Sequence, residues 1–157
     1  MKLLFKQRLF SWLDSYDVYD EAGNTVFTVE GALSWGHCLH VLDASGAHVG
    51  TLKEVVLSFL PRFEVYLGER LAGCIRKEFT FFQPRFVMDM GGWQVEGSLT
   101  EWDYSILDAQ GFEVAAIHKE LFHWTDTYVL EVDDPRDALQ ALLVVLAIDA
   151  EKCSRND

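Results

Sequence analysis

Between Ala138 and Ala150 the chain carries thirteen consecutive residues of which only Gln140 and Asp149 are polar. Those two do not make a polar face. Nine positions at about 100° each place them on opposite sides of a helix. A helix apolar all round must be buried all round. At 1.5 Å per residue the run spans about 20 Å, short of the roughly 30 Å that a membrane crossing needs. It therefore reads as a helix at the centre of a protein, and the rest of the chain must wrap it. Asp134 suits the N-cap, Pro135 the first helical position and Asp137 the positive end of the dipole, while Lys152 and Arg155 suit the other end. The predicted helix covers residues 135–152.

The preceding residues read as short alternating segments punctuated by turns at Gly23-Asn24, Ser45-Gly46, Leu67-Gly68, Gly91-Gly92 and Gln110-Gly111. Turns at this density between aromatic and β-branched runs predict consecutive antiparallel strands. About a dozen are expected, near 3–9, 15–20, 26–30, 33–43, 48–55, 57–66, 71–78, 79–89, 92–97, 101–108, 113–119 and 127–132. The chain also echoes itself. Val29-Glu30-Gly31-Ala32-Leu33-Ser34 recurs as Val95-Glu96-Gly97-Ser98-Leu99-Thr100, and Leu42-Asp43-Ala44-Ser45-Gly46 as Leu107-Asp108-Ala109-Gln110-Gly111. Lys53-Glu54 leads to Phe59-Leu60-Pro61-Arg62-Phe63 much as Lys77-Glu78 leads to Phe82-Gln83-Pro84-Arg85-Phe86. Repeated strand-turn-strand units fit a closed antiparallel barrel. Pro61 and Pro84 predict bends where long strands curve. With no other unit to bury it, the apolar helix belongs inside that barrel.

The chain is long enough for one domain over residues 1–157, and its 21 aromatic rings supply a large core. Three cysteines, Cys38, Cys74 and Cys153, are odd in number and far apart, which predicts reduced thiols in a cytoplasmic protein. Lys6 and Arg8 interrupt the first apolar run, so no signal peptide is expected. The net charge of −12 repels phosphate backbones, which argues against nucleic-acid binding.

Several stretches identify a family resemblance: Leu3-Leu4-Phe5-Lys6-Gln7, Tyr19-Asp20-Glu21-Ala22-Gly23-Asn24, Lys77-Glu78-Phe79-Thr80-Phe81-Phe82, Trp93-Gln94-Val95-Glu96-Gly97, Lys119-Glu120-Leu121-Phe122 and Ala147-Ile148-Asp149-Ala150-Glu151. Over its whole length the chain resembles the LURP-one-related family, in its small bacterial YxjI-type branch. That resemblance implies the tubby-like fold, a closed antiparallel barrel around a hydrophobic C-terminal helix. Tubby domains of this fold bind phosphoinositide headgroups through a basic pocket, and the related scramblases act at membranes. The matching motifs are structural, so the resemblance implies no catalytic residue.

The residues themselves offer few chemical constellations. No Walker loop, nucleophile elbow, HExxH or dinucleotide fingerprint is present. In a strand, Cys38 and His40 would share a face, but two further metal ligands would have to come from a distant partner such as Cys74 or His118. Packing and an exposed histidine account for them, and neither a metal nor a cofactor is expected. Asp133, Asp134 and Asp137 are accounted for by helix capping. Glu96, Glu101 and Asp103 have no positioned partner for acid-base work. Asp149 interrupts an apolar helix and needs a hydrogen bond or a cation, from the backbone or from an arginine at the barrel rim. It would otherwise shape a small polar pocket. Lys2, Lys6 and Arg8 share one face of the first strand, and Arg62 and Arg85 follow the two prolines at matched places. Either group is a candidate anion-binding spot.

The expected function is non-enzymatic binding of a membrane-associated ligand such as a phospholipid headgroup, with no transmembrane segment. A protein-protein interaction module is the alternative, and an enzyme of unrecognised type the third. The lipid reading predicts a local basic pocket. The protein reading predicts an exposed apolar patch or a free sheet edge.

Overall fold

The computed structural model describes residues 1–6, 15–79, 81, 84–99, 101–122 and 125–156. The described strands are β1 (Lys2–Lys6), β2 (Ser15–Tyr19), β3 (Thr25–Ala32), β4 (Cys38–Asp43), β5 (His48–Glu54) and β6 (Arg62–Leu67). They continue as β7 (Arg70–Phe79), β8 (Pro84–Met88), β9 (Gln94–Ser98), β10 (Asp103–Leu107), β11 (Glu113–Phe122) and β12 (Thr125–Val132). Each pairs antiparallel with its neighbours in sequence, and β1 pairs with β12 to close the barrel. Closure gives every strand two neighbours, though not along its whole length. The seam between β1 and β2 rests on a single pair, Leu4 opposite Tyr19.

The chain then makes a 3-10 turn over Pro135–Asp137 and runs through the barrel as α1 (Ala138–Asn156). Asp134 caps that turn by accepting the Arg136 N–H at 2.9 Å, and the same arginine holds its carboxyl down at about 2. Every residue from Ala141 to Ile148 is buried. They pack against inward residues that alternate along the strands, such as Leu3 and Phe5, Leu39 and Val41, or Phe63 and Val65. Gly50 lets α1 approach β5: a Cβ there would lie 3.3 Å from Leu139 Cδ1 and 3.5 Å from Leu143 Cδ1. Gln140 is accommodated by donating to the Met90 carbonyl at 3.4 Å.

The echoed sequences occupy opposite walls, because β3–β4 and β9–β10 stand six strands apart in the barrel order. Their turns use one device. Asp43 Oδ1 accepts the Ser45 and Ala47 N–H groups at 2.9 and 3.0 Å, and Asp108 Oδ1 accepts those of Gln110 and Phe112 at 2.9 Å each. Asp20 does the same for Ala22 and Asn24. The hydrogen bonds to Asn24 and Ser45 hold the Asp20 and Asp43 carboxyls below the usual range.

Three expectations about strand extent are corrected. Residues 33–37 and 55–61 are connections rather than strand, and the strand expected from residue 79 is divided between the end of β7 and the start of β8. Pro61 and Pro84 do not bend long strands. Pro61 immediately precedes β6 and Pro84 opens β8, positions where a missing N–H removes little from the ladder.

Candidate functional site

The even-to-odd connections, including the three aspartate turns, lie at one end of the barrel, where α1 also begins. The ends of the odd-numbered strands and the starts of the even-numbered ones that follow them form the opposite rim, where α1 ends. This rim carries unusual side chains. In the β3–β4 connection Leu33 and Trp35 are 89% and 92% exposed. In the β5–β6 connection Leu57 and Phe59 are fully exposed and Val56 half so, and Phe79 at the end of β7 and Phe81 beyond it are exposed as well. Seven of the ten large hydrophobic side chains that are exposed among the described residues thus sit on this one rim.

Beneath the rim, the last turns of α1 bring charges into the barrel. Lys77, at the rim end of β7, donates its ammonium to Glu151 of α1, with the two side chains only 1% and 7% exposed. The same ammonium stands 5.8 and 5.9 Å from the rings of Phe79 and Phe86. On another side of the helix, the Lys152 ammonium sits 4.0 Å above the Trp102 ring. Trp102 also packs at 4.5 Å on Tyr128, and it adopts the left-handed backbone conformation, with φ 57°. Burial raises the Asp149 carboxyl to about 7, while Lys152 opposes the shift. Burial, and then the Asp149 charge, hold the Tyr104 hydroxyl well above its ordinary value.

Above Glu151 a pocket of about 230 Å³ opens through the rim. Its walls come from the end of β5, the β5–β6 connection, the start of β6 and the end of β7, with Glu151 at the floor. Glu54 on its wall accepts two hydrogen bonds from His37, at 2.9 Å from the backbone N–H and 2.8 Å from Nδ1. A larger pocket of about 380 Å³ lies along the β1–β2 seam, against Leu4, Phe5 and Tyr19.

The candidate cations are dispersed. Lys2 and Lys6 do share the outer face of β1, but Lys2 sits 3.2 Å from Glu131, while Lys6 is exposed at the rim end. Arg8 lies outside the described residues. Arg62 and Arg85 do not meet, because β7 runs between them. Their registers, opposite Arg76 and Glu78, set the Cα atoms about 12 Å apart at ordinary strand spacing. Arg62 donates to Cys74 Sγ at 3.2 Å and Arg85 to Gln94 Oε1 at 3.1 Å. Asp149 is influenced by burial and by Lys152 rather than by a rim arginine, and its own charge acts on Tyr104. Cys38 and His40 lie on β4, where His40 Nδ1 meets Thr51 Oγ1 at 2.9 Å. Among the described residues, no three histidine, cysteine or acidic side chains converge as a metal-holding group.

Sequence reasoning missed the rim and the Lys77–Glu151 pair. Residues 57–60 and Phe81 read as strand because they are apolar and β-prone, although Pro61 and Pro84 were available as stop signals. No local pattern announces that Lys77 points inward to a helix 74 residues later.

The sequence profile of the LURP-one-related family matches residues 1–149. The chain belongs to the LURP-one-related family. This LURP-one-related protein is 28% identical over 150 residues to the uncharacterized protein YxjI of Bacillus subtilis (strain 168), covering 95% of the present chain and 92% of that one. Its fold is similar to the X-ray structure of a protein from Arabidopsis thaliana, with a TM-score of 0.64 at 18% identity over 94% of this chain and 90% of that one. The expected barrel with one C-terminal helix is therefore the fold of this LURP-one-related protein. Among its described residues no helix is long and apolar enough to cross a membrane.

Proposed function

We propose that this domain is a non-enzymatic binding module of the cytoplasm, and that its apolar rim docks a protein partner. The observation that carries the reading is the concentration of exposed Leu33, Trp35, Leu57, Phe59 and Phe81 on one end of an otherwise acidic barrel. Large apolar side chains gathered in water at one end of a domain are characteristic of an interaction site. Every strand of the barrel has two neighbours, and the rim carries the exposed apolar side chains that fit the protein reading. A phospholipid-headgroup site calls for converging cations, and Lys2, Lys6, Arg62 and Arg85 do not converge. The buried thiols Cys38 and Cys74 fit a reducing compartment.

The test compares wild type, a rim variant (Trp35→Ser, Leu57→Ser, Phe81→Ser) and a control at the other end (Phe112→Ser) in proximity crosslinking. The reading expects one set of crosslinked proteins that the rim variant loses and the control retains. Sedimentation with phosphatidylcholine vesicles, with and without phosphatidylglycerol, is the parallel arm. Vesicle binding lost in the rim variant, without a rim-dependent protein, would replace the protein partner with a bilayer.

A further inference from the structure

We propose that the pocket above Glu151 seats a basic side chain, lysine or arginine, of the protein partner that the rim docks; the inference rests on that docking reading. The walls match such a guest part by part. Phe59, Phe63 and Phe79 offer phenyl surface to an aliphatic stem and a cationic head, and Glu54 and Glu151 place carboxylates on the wall and at the floor. Of these, Phe59 stands fully exposed, Phe79 is 67% exposed and Phe63 is buried, so the apolar surface runs from the rim inward. The fold already holds one cation here by the same chemistry, because Lys77 reaches Glu151 between the Phe79 and Phe86 rings. Lys77 matches the Glu151 charge, which leaves Glu54 as the carboxylate for an incoming cation. Its pairing with His37 orients it, since both hydrogen bonds fall on the same oxygen, Oε2. At long range, the net charge of −12 steers a basic partner towards the domain and disfavours an acidic one.

Minimal probes test the pocket without a known partner. The 15N-labelled full chain is titrated with N-acetyl-arginine methylamide, N-acetyl-lysine methylamide, the uncharged N-acetyl-norleucine methylamide and choline. The proposal expects shifts confined to amides of the pocket walls, and at least one basic probe binding about five-fold more tightly than norleucine. Glu54→Gln keeps an oxygen acceptor for His37 and should remove most of that advantage. Phe59→Ala, at a fully exposed position, should weaken all probes without changing the melting temperature. Equal binding of norleucine, shifts centred elsewhere, or preference for choline over both basic probes would overturn the proposal, the last pointing to a lipid headgroup. The titration does not involve Trp35, Leu57 or Phe81, so failure of the pocket and failure of rim docking are read separately.

Discussion

Replacing Lys77 with methionine should destabilise the domain by about 3–5 kcal/mol, because it removes the ammonium from a buried ion pair. The size follows from burial. The two side chains are 1% and 7% exposed, so solvent cannot take over the role of the lost ammonium. A domain of this kind has about 5–15 kcal/mol of stability in total, so the variant should be folded but fragile. Part of the loss comes from the ammonium's contacts with Phe79 and Phe86, worth about 0.5–2 kcal/mol. The double variant Lys77→Met, Glu151→Leu removes both charges and fills the space with apolar atoms, and should return to within about 1 kcal/mol of wild type. With Glu151→Leu as the fourth corner of the cycle, urea unfolding at neutral pH, followed by tryptophan fluorescence and circular dichroism, measures all four. With a slope of about 1–3 kcal/mol per molar urea, Lys77→Met should lower the midpoint by more than about 1 M at constant slope. Added salt should alter the coupling little, since a buried pair is weakly screened. A single variant within about 1 kcal/mol of wild type, with unchanged slope, would refute the view that this pair is closed to water.

Asp149 predicts a pH dependence. Its carboxyl titrates near 3.8 when unfolded and about 7 in the barrel, so folding takes up a proton between those values. The stability tied to the protonated form is complete below about pH 4 and lost as pH rises through 7; the ceiling is about 4 kcal/mol at 1.36 kcal/mol per pKa unit. Asp149→Asn should therefore be more stable than wild type at pH 8 and flatten the profile between pH 4 and 7, and an unchanged profile would remove Asp149 as its source. Leu143→Asp should abolish folding, since it places an unpaired charge at a position with no exposure, and a soluble variant with wild-type melting would refute the buried-helix account. Replacing the exposed Lys6 with alanine should move stability by no more than about 0.5 kcal/mol in the same melting assay. Gly50→Val should cost about 1–3 kcal/mol in urea unfolding, because its Cβ would stand 3.3 Å from Leu139 and 3.4 Å from the Tyr66 carbonyl.

The sequence alone determined the plan of the molecule. An apolar stretch too short for a bilayer had to be surrounded, and alternating segments with aspartate-glycine turns had to pair with their neighbours; both follow from local periodicity and turn chemistry. The echoed sequences beginning at Val29 and Val95 even anticipated a closed arrangement, and the barrel sets β3 and β9 on opposite walls. Tertiary structure alone decided which apolar residues stay in water. Leu57 and Phe59 resemble Val65 and Phe63 in composition, yet the first pair caps a connection while the second lines the core. That difference depends on where β5 ends relative to the helix, not on the residues' own preferences. The same holds for charge. Nothing local sets Lys77 and Glu151 apart, and closure of the barrel brings both inward to the same point, because pairing across 74 residues is a property of the tertiary fold. Arg62 and Arg85 show the converse: matched places after two prolines suggested proximity, and a single intervening strand keeps them apart.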